Sequence, residues 1–101
     1  MPKLYEYFGL VVYFYANEHE PIHVHGEFGG REGKAEFVLK EGKVVRITFA
    51  NVAGRPPLDG AKLKDFKQLV KAKADDIVRR WIDFFVLGKH NKPEIITRKL
   101  K

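Results

Sequence analysis

Hydrophobic and polar positions along the chain change period about half-way, and that change predicts the fold. Phe8-Gly9-Leu10-Val11-Val12-Tyr13-Phe14-Tyr15 is a run of aromatic and β-branched residues and reads as one buried first strand. Asn17-Glu18-His19-Glu20-Pro21 follows as a turn, since Pro21 has no N–H to give a sheet ladder. From Ile22 to Phe28 the pattern alternates with period two. Ile22, Val24 and Phe28 share the core face, and His23, His25 and Glu27 point the other way. Gly29-Gly30 is a turn. Ala35, Phe37 and Leu39 make one face of a third strand, and Val45, Ile47 and Phe49 one face of a fourth, joined tightly at Glu41-Gly42. Asn51 to Asp59, with Arg55-Pro56-Pro57, leaves the sheet as a loop.

Beyond Lys62 the period becomes helical. Leu63, Phe66, Val70, Ala74, Ile77, Trp81 and Phe85 recur at three- and four-residue spacing, and Gly88 supplies a stop. Asp75 or Asp76 could cap a second start, so one helix or two fits the pattern. Glu94 to Thr97 adds a short strand. The expected fold is α+β: an antiparallel sheet of about four to five strands, with a long C-terminal helix, or two helices, packed on one face. The 101 residues form a single domain, spanning 1–101, large enough to fold without a stapling metal. Any metal would therefore serve function.

Composition mainly excludes. There is no cysteine, which removes disulfides, thiolate metal sites and a cysteine nucleophile, and no serine, which removes a serine triad. No phosphate-binding or dinucleotide glycine loop is present, nor a His-Glu-x-x-His helix, so no residue is assigned a catalytic role. The longest apolar run is too short to span a bilayer, and the N-terminus lacks a signal-peptide core; a cytoplasmic protein with no membrane partner is expected. Net charge is +6, but residues 1–61 hold seven Lys/Arg against eight Asp/Glu, and residues 62–101 hold twelve against five. The basic half and the histidine-bearing half are thus separate.

Two candidate sites follow. His23 and His25, two apart on one strand face, stand about 6.5–7 Å apart along the backbone, a spacing from which two imidazoles converge on one ion. With His19 or Glu27 as a third ligand they form a candidate first shell for zinc, iron or manganese, and such a metal would activate water for hydrolysis of a phosphoester. The competing reading makes them ordinary cross-strand residues on a half-exposed face. A histidine beside Glu18, Glu20 or Glu27 could also shuttle protons. In the basic half, Lys64, Lys67 and Lys71 share one helix sector, with Arg79 and Arg80 on the far side, a candidate surface for weak, salt-sensitive nucleic-acid binding. Its alternative is a solvated helix face broken up by Asp65, Asp75, Asp76 and Asp83.

The aromatic strand with Gly9-Leu10-Val11-Val12-Tyr13, followed by His19-Glu20-Pro21-Ile22-His23-Val24-His25, resembles the DUF4160 family, small prokaryotic proteins bearing a His-x-Pro-x-His-x-His run. The similarity continues more loosely through Gly29, Ala35 to Val38 and the helix with Trp81; Ile22, where the family often has proline, and the basic tail depart from it. The resemblance supplies no reaction. It implies a binding or regulatory module, toxin–antitoxin-like, that presents the histidine cluster to a protein partner or ligand. Separately, a first strand apolar on both faces leaves room for a partner chain, such as a second copy in a homodimer.

Overall fold

The computed structural model describes residues 3–14, 22–89 and 91–100. Six strands and two helices follow in the order β1 (Lys3–Tyr7), β2 (Leu10–Tyr13), β3 (His23–Phe28), β4 (Arg31–Lys40), β5 (Lys43–Asn51), α1 (Gly60–Ala72), α2 (Ala74–Phe85) and β6 (Glu94–Ile96). One sheet holds all the strands in the order β5-β4-β3-β2-β1-β6. Consecutive strands pair antiparallel, whereas β6 lies parallel to β1. The α+β expectation holds, but the sheet is mixed and larger than expected.

The extra strand comes from a turn hidden in an apolar run. Phe8 and Gly9 have φ of 50° and 87°. Two consecutive residues at positive φ are the signature of the two-residue I′ hairpin, whose twist matches that of its strands. The apolar run therefore folds back at Phe8-Gly9, and the expected single strand from Phe8 is instead the turn and second arm of a hairpin. Glu41 (53°) and Gly42 (78°) repeat the geometry between β4 and β5, where it was expected. A bulge between Val38 and Leu39 sets Leu39 opposite Val44. In consequence Val44 packs against the core and Val45, expected there, is 58% exposed.

Both helices cover one sheet face. Phe66, Leu69, Val70, Ile77, Val78 and Trp81 are buried against a sheet layer that includes Tyr5, Tyr7, Val12, Val24 and Ala35. The helical segment is two helices, not one. It breaks at Lys73, whose φ of −109° and ψ of 15° are not helical, although its N–H still reaches Leu69 O at 2.9 Å. Neither Asp75 nor Asp76 caps the new start. Both lie inside the first turn of α2, where the helix dipole favours a carboxylate.

Asp76 has a second task. It accepts hydrogen bonds from the Tyr5 hydroxyl, from Arg79 and, at 2.8 Å, from Arg80 Nε. Arg80 also donates to Asn91 Oδ1 at 2.9 Å and Lys92 O at 2.8 Å, and Asn91 donates to Lys3 O. This network fastens α2 to β1 and to the segment entering β6. Burial raises the Asp76 pKa, but hydrogen bonds from Tyr5, Arg80 and Arg79 outweigh it and bring the carboxyl down to about 2. Burial, then the Asp76 contact, pushes the Tyr5 hydroxyl well up.

Candidate functional site

β3 runs through the middle of the sheet, so each of its faces is fixed by neighbours on both sides. Val24 is fully buried under the helices, and Gly26 sits where a Cβ would meet the Phe66 ring at 2.6 Å. His23, His25 and Glu27 occupy the opposite face, as the alternation predicts. The two histidines are not half-exposed there, although Glu27 is. His23 is 9% and His25 3% exposed.

Neighbouring strands supply the cover. Tyr13 on β2 stands opposite His25, and the rings stack at 5.7 Å between centroids. The His23 and His25 rings meet edge to face at 5.2 Å. On β4, Glu32 stands opposite Glu27 and reaches diagonally to His25, placing Oε2 3.0 Å from Nδ1. Glu32 is itself only 1% exposed. The proton of that contact belongs on Nδ1, because an ionised carboxylate only accepts.

The loop of residues 52–59 does not simply leave the sheet. Glu32 N–H donates to Pro56 O at 2.9 Å, and Arg31 Nη1 donates to Pro57 O at 3.2 Å. These bonds bring Arg55 back over the start of β4. Its Nη2 donates to Glu27 Oε2 at 3.0 Å and to Gly30 O at 3.3 Å, and its Nε lies 3.7 Å from Glu32 Oε1. Arg55 thus straddles both carboxylates, and Glu27 faces the guanidinium instead of completing a histidine set. Among the described residues no three His, Cys, Asp or Glu side chains are placed to hold one metal ion. His19, the proposed third arm, lies outside the described residues, as do Glu18 and Glu20.

Sequence reasoning missed Glu32 and the role of Arg55. The first was within reach. A two-residue turn at Gly29-Gly30 sets residue 32 opposite 27 and 34 opposite 25, which makes Glu32 the diagonal neighbour of His25. Arg55 is held through backbone bonds of the Pro56-Pro57 segment, and no periodic pattern announces those.

On the helix side, Lys64, Lys67 and Lys71 do share a surface. With Gly60, Leu63 and Gln68 they line a shallow groove of about 350 Å³ along α1 that no carboxylate borders. Lys67 Nζ also lies 5.6 Å from the centre of the Phe49 ring on β5. The expectation for Arg80 is corrected. It is not on the far side of the helix; its guanidinium sits 5.1 Å over the Tyr5 ring and is engaged by Asp76. Arg79 is exposed and ion-paired with Asp76 and Asp83. No helix among the described residues is long and apolar enough to cross a membrane.

A family model described as "Domain of unknown function (DUF4160)" matches residues 9–82. The chain belongs to this family. Comparison with curated proteins and with solved structures finds no match. The DUF4160 match takes in β2 to β5, both histidine-bearing positions, Glu32, Arg55 and nearly all of both helices, and leaves β1 and β6 outside it.

Proposed function

We propose that this chain is a small binding module with a regulatory, toxin–antitoxin-like role, whose histidine-bearing sheet face belongs to the surface it offers a protein partner. One observation carries the reading: the ionisable groups of that face engage one another. His25 is buried against Tyr13 and held by Glu32, and Arg55 bridges Glu32 and Glu27. Turnover calls for a reactive group aimed at substrate, with its supporting partners behind it. Here the partners face inward and lock the loop bearing Arg55 onto the sheet, an arrangement suited to presenting a fixed surface. Affinity capture with the tagged chain from its own cells, followed by phosphodiester hydrolysis assays on the untagged protein, tests this. The expected result is a partner in stoichiometric amount and no turnover. An empty capture together with turnover that His23→Ala/His25→Ala abolishes contradicts it.

The rival metal-dependent hydrolase requires His19, or another group, to join His23 and His25 around zinc, iron or manganese, because Glu27 is committed to Arg55. A further reading, weak nucleic-acid binding, draws support from the carboxylate-free groove of Lys64, Lys67 and Lys71. Its signature is affinity that falls steeply with salt and loses slope when those lysines are replaced.

A further inference from the structure

The sheet ends at β5. This nine-residue strand, Lys43–Asn51, pairs with β4 on one side, and among the described residues no strand pairs with the other. A free edge of this length offers a row of backbone donors and acceptors to any extended segment. Folds commonly blunt such an edge with proline, charged side chains, a β-bulge or a covering helix, and here the basic residues and the bulge near Leu39 restrict which strands can dock. β5 contains no proline, and its two charged residues, Lys43 and Arg46, are both exposed and both basic.

Charge surrounds the edge on both faces. On the helix face, Lys67 lies over the Phe49 ring and belongs to the α1 groove shared with Lys64 and Lys71. On the open face Arg46 is exposed beside Thr48, and none of Lys43, Arg46 or Lys67 has an ion-pair partner among the described residues. Acidic groups gather at the Lys43 end of the strand, where Glu41 sits in the turn and Asp75 and Asp83 of α2 share a cavity with Lys43 and Val44. Glu36 stands across from Thr48, and no carboxylate lines the α1 groove that holds Lys67. Side chains of an added strand would point alternately to the two faces. Acidic residues at successive positions would meet Lys67 on one face and Arg46 on the other. A second copy of this chain fits worse, since two β5 strands side by side would bring both sets of lysine and arginine to one seam.

We propose that β5 is the docking edge for an acidic, extended segment of a protein partner, which adds to the sheet as a seventh strand beside Arg46 and Lys67. The assignment rests on the binding-module reading and names its partner chemistry. Backbone pairing supplies affinity, and the basic flanks select acidic over neutral or basic strands.

The test uses the full chain and a nine-residue probe peptide in which pairs of adjacent glutamates alternate with pairs of valine or threonine, so that both faces of the added strand carry acid. Expected are saturable binding, amide chemical-shift changes concentrated in β5, and a loss of roughly tenfold or more in affinity in Arg46→Glu/Lys67→Glu. Alternate backbone N-methylation of the peptide, which keeps its charge and removes its ladder, should abolish binding. Equal binding by the N-methylated peptide, or shifts confined to α1, overturns the edge in favour of a polyanion groove. Concentration-dependent dimerisation that blocks the peptide overturns it in favour of self-association. A captured natural partner that binds Arg46→Glu/Lys67→Glu as tightly as the native chain overturns the β5 assignment and leaves the module standing. Turnover lost with His23 and His25 overturns the module itself.

Discussion

Gly26→Ala perturbs the contact on which the histidine strand rests. The added methyl would lie 2.6 Å and 2.7 Å from two Phe66 ring carbons, closer than van der Waals contact allows. Phe66 is 1% exposed, and its ring is already set edge-on to Phe49 at 5.9 Å, so it cannot simply swing into solvent. Overpacking of this kind costs about 1–3 kcal/mol. Gly26 has no positive φ, so alanine brings no backbone strain and returns about 0.4–1 kcal/mol through a less flexible unfolded chain. The net loss is about 1–2 kcal/mol, a fall in Tm of roughly 5–15 °C for a domain of this size. Urea unfolding followed by far-UV circular dichroism reads it as a lower midpoint at unchanged slope. Phe66→Leu should relieve the clash, so the double variant should be more stable than the sum of the single losses by about 1 kcal/mol. A midpoint for Gly26→Ala at or above the native value refutes the reasoning, as does strict additivity with Phe66→Leu.

Three further outcomes follow from the same geometry. Glu32→Ala, which strips buried His25 of its carboxylate, should cost about 1–3 kcal/mol in urea unfolding, whereas Arg55→Ala, at a partly exposed ion pair, should cost under about 1 kcal/mol. Equal losses would mean that the cover, not the buried pair, holds the face. Glu41→Asn places a residue suited to positive φ in the β4–β5 turn and should raise stability by about 0.5–1 kcal/mol; a lower Tm contradicts the turn assignment. Because the Asp76 pKa is lowered from 3.8 to about 2 in the fold, the unfolded chain binds more protons between those values. Stability from this group is complete above about pH 4 and is lost as pH falls through about 2, a change on the order of 2 kcal/mol that Asp76→Asn should remove from the acid-unfolding curve.

What the sequence discloses here depends on whether its signals are local. Periodicity placed Val24 under the helices and His23 and His25 opposite, and the three- and four-residue stripe from Leu63 to Phe85 faces the sheet as expected. It could not separate β1 from β2, because Tyr5, Tyr7, Leu10 and Val12 are all buried and the turn between them holds a phenylalanine where polar residues normally signal reversal. A one-residue bulge exchanged Val44 for Val45, and period counting cannot see a bulge. The parallel placement of β6 beside β1 brings together Lys3 and Asn91, 88 positions apart, with Arg80 holding Asn91 and Glu94, and no local pattern announces that. In the site, the histidines were legible from spacing and Glu32 from hairpin register, whereas burial was not. Burial of His25 involves Tyr13 and Glu32 on the neighbouring strands, contacts made only once the chain is folded.

The claim at the centre of this account is that His23 and His25 are built into a partner-binding surface and not into a metal centre. Titrating the untagged chain with zinc and with manganese, while following the histidine ring resonances, tests it most directly. The account predicts no saturable one-to-one site and a His25 ring that stays bonded through Nδ1 to Glu32. A stoichiometric site that shifts both rings, and disappears in His23→Ala/His25→Ala, would contradict it.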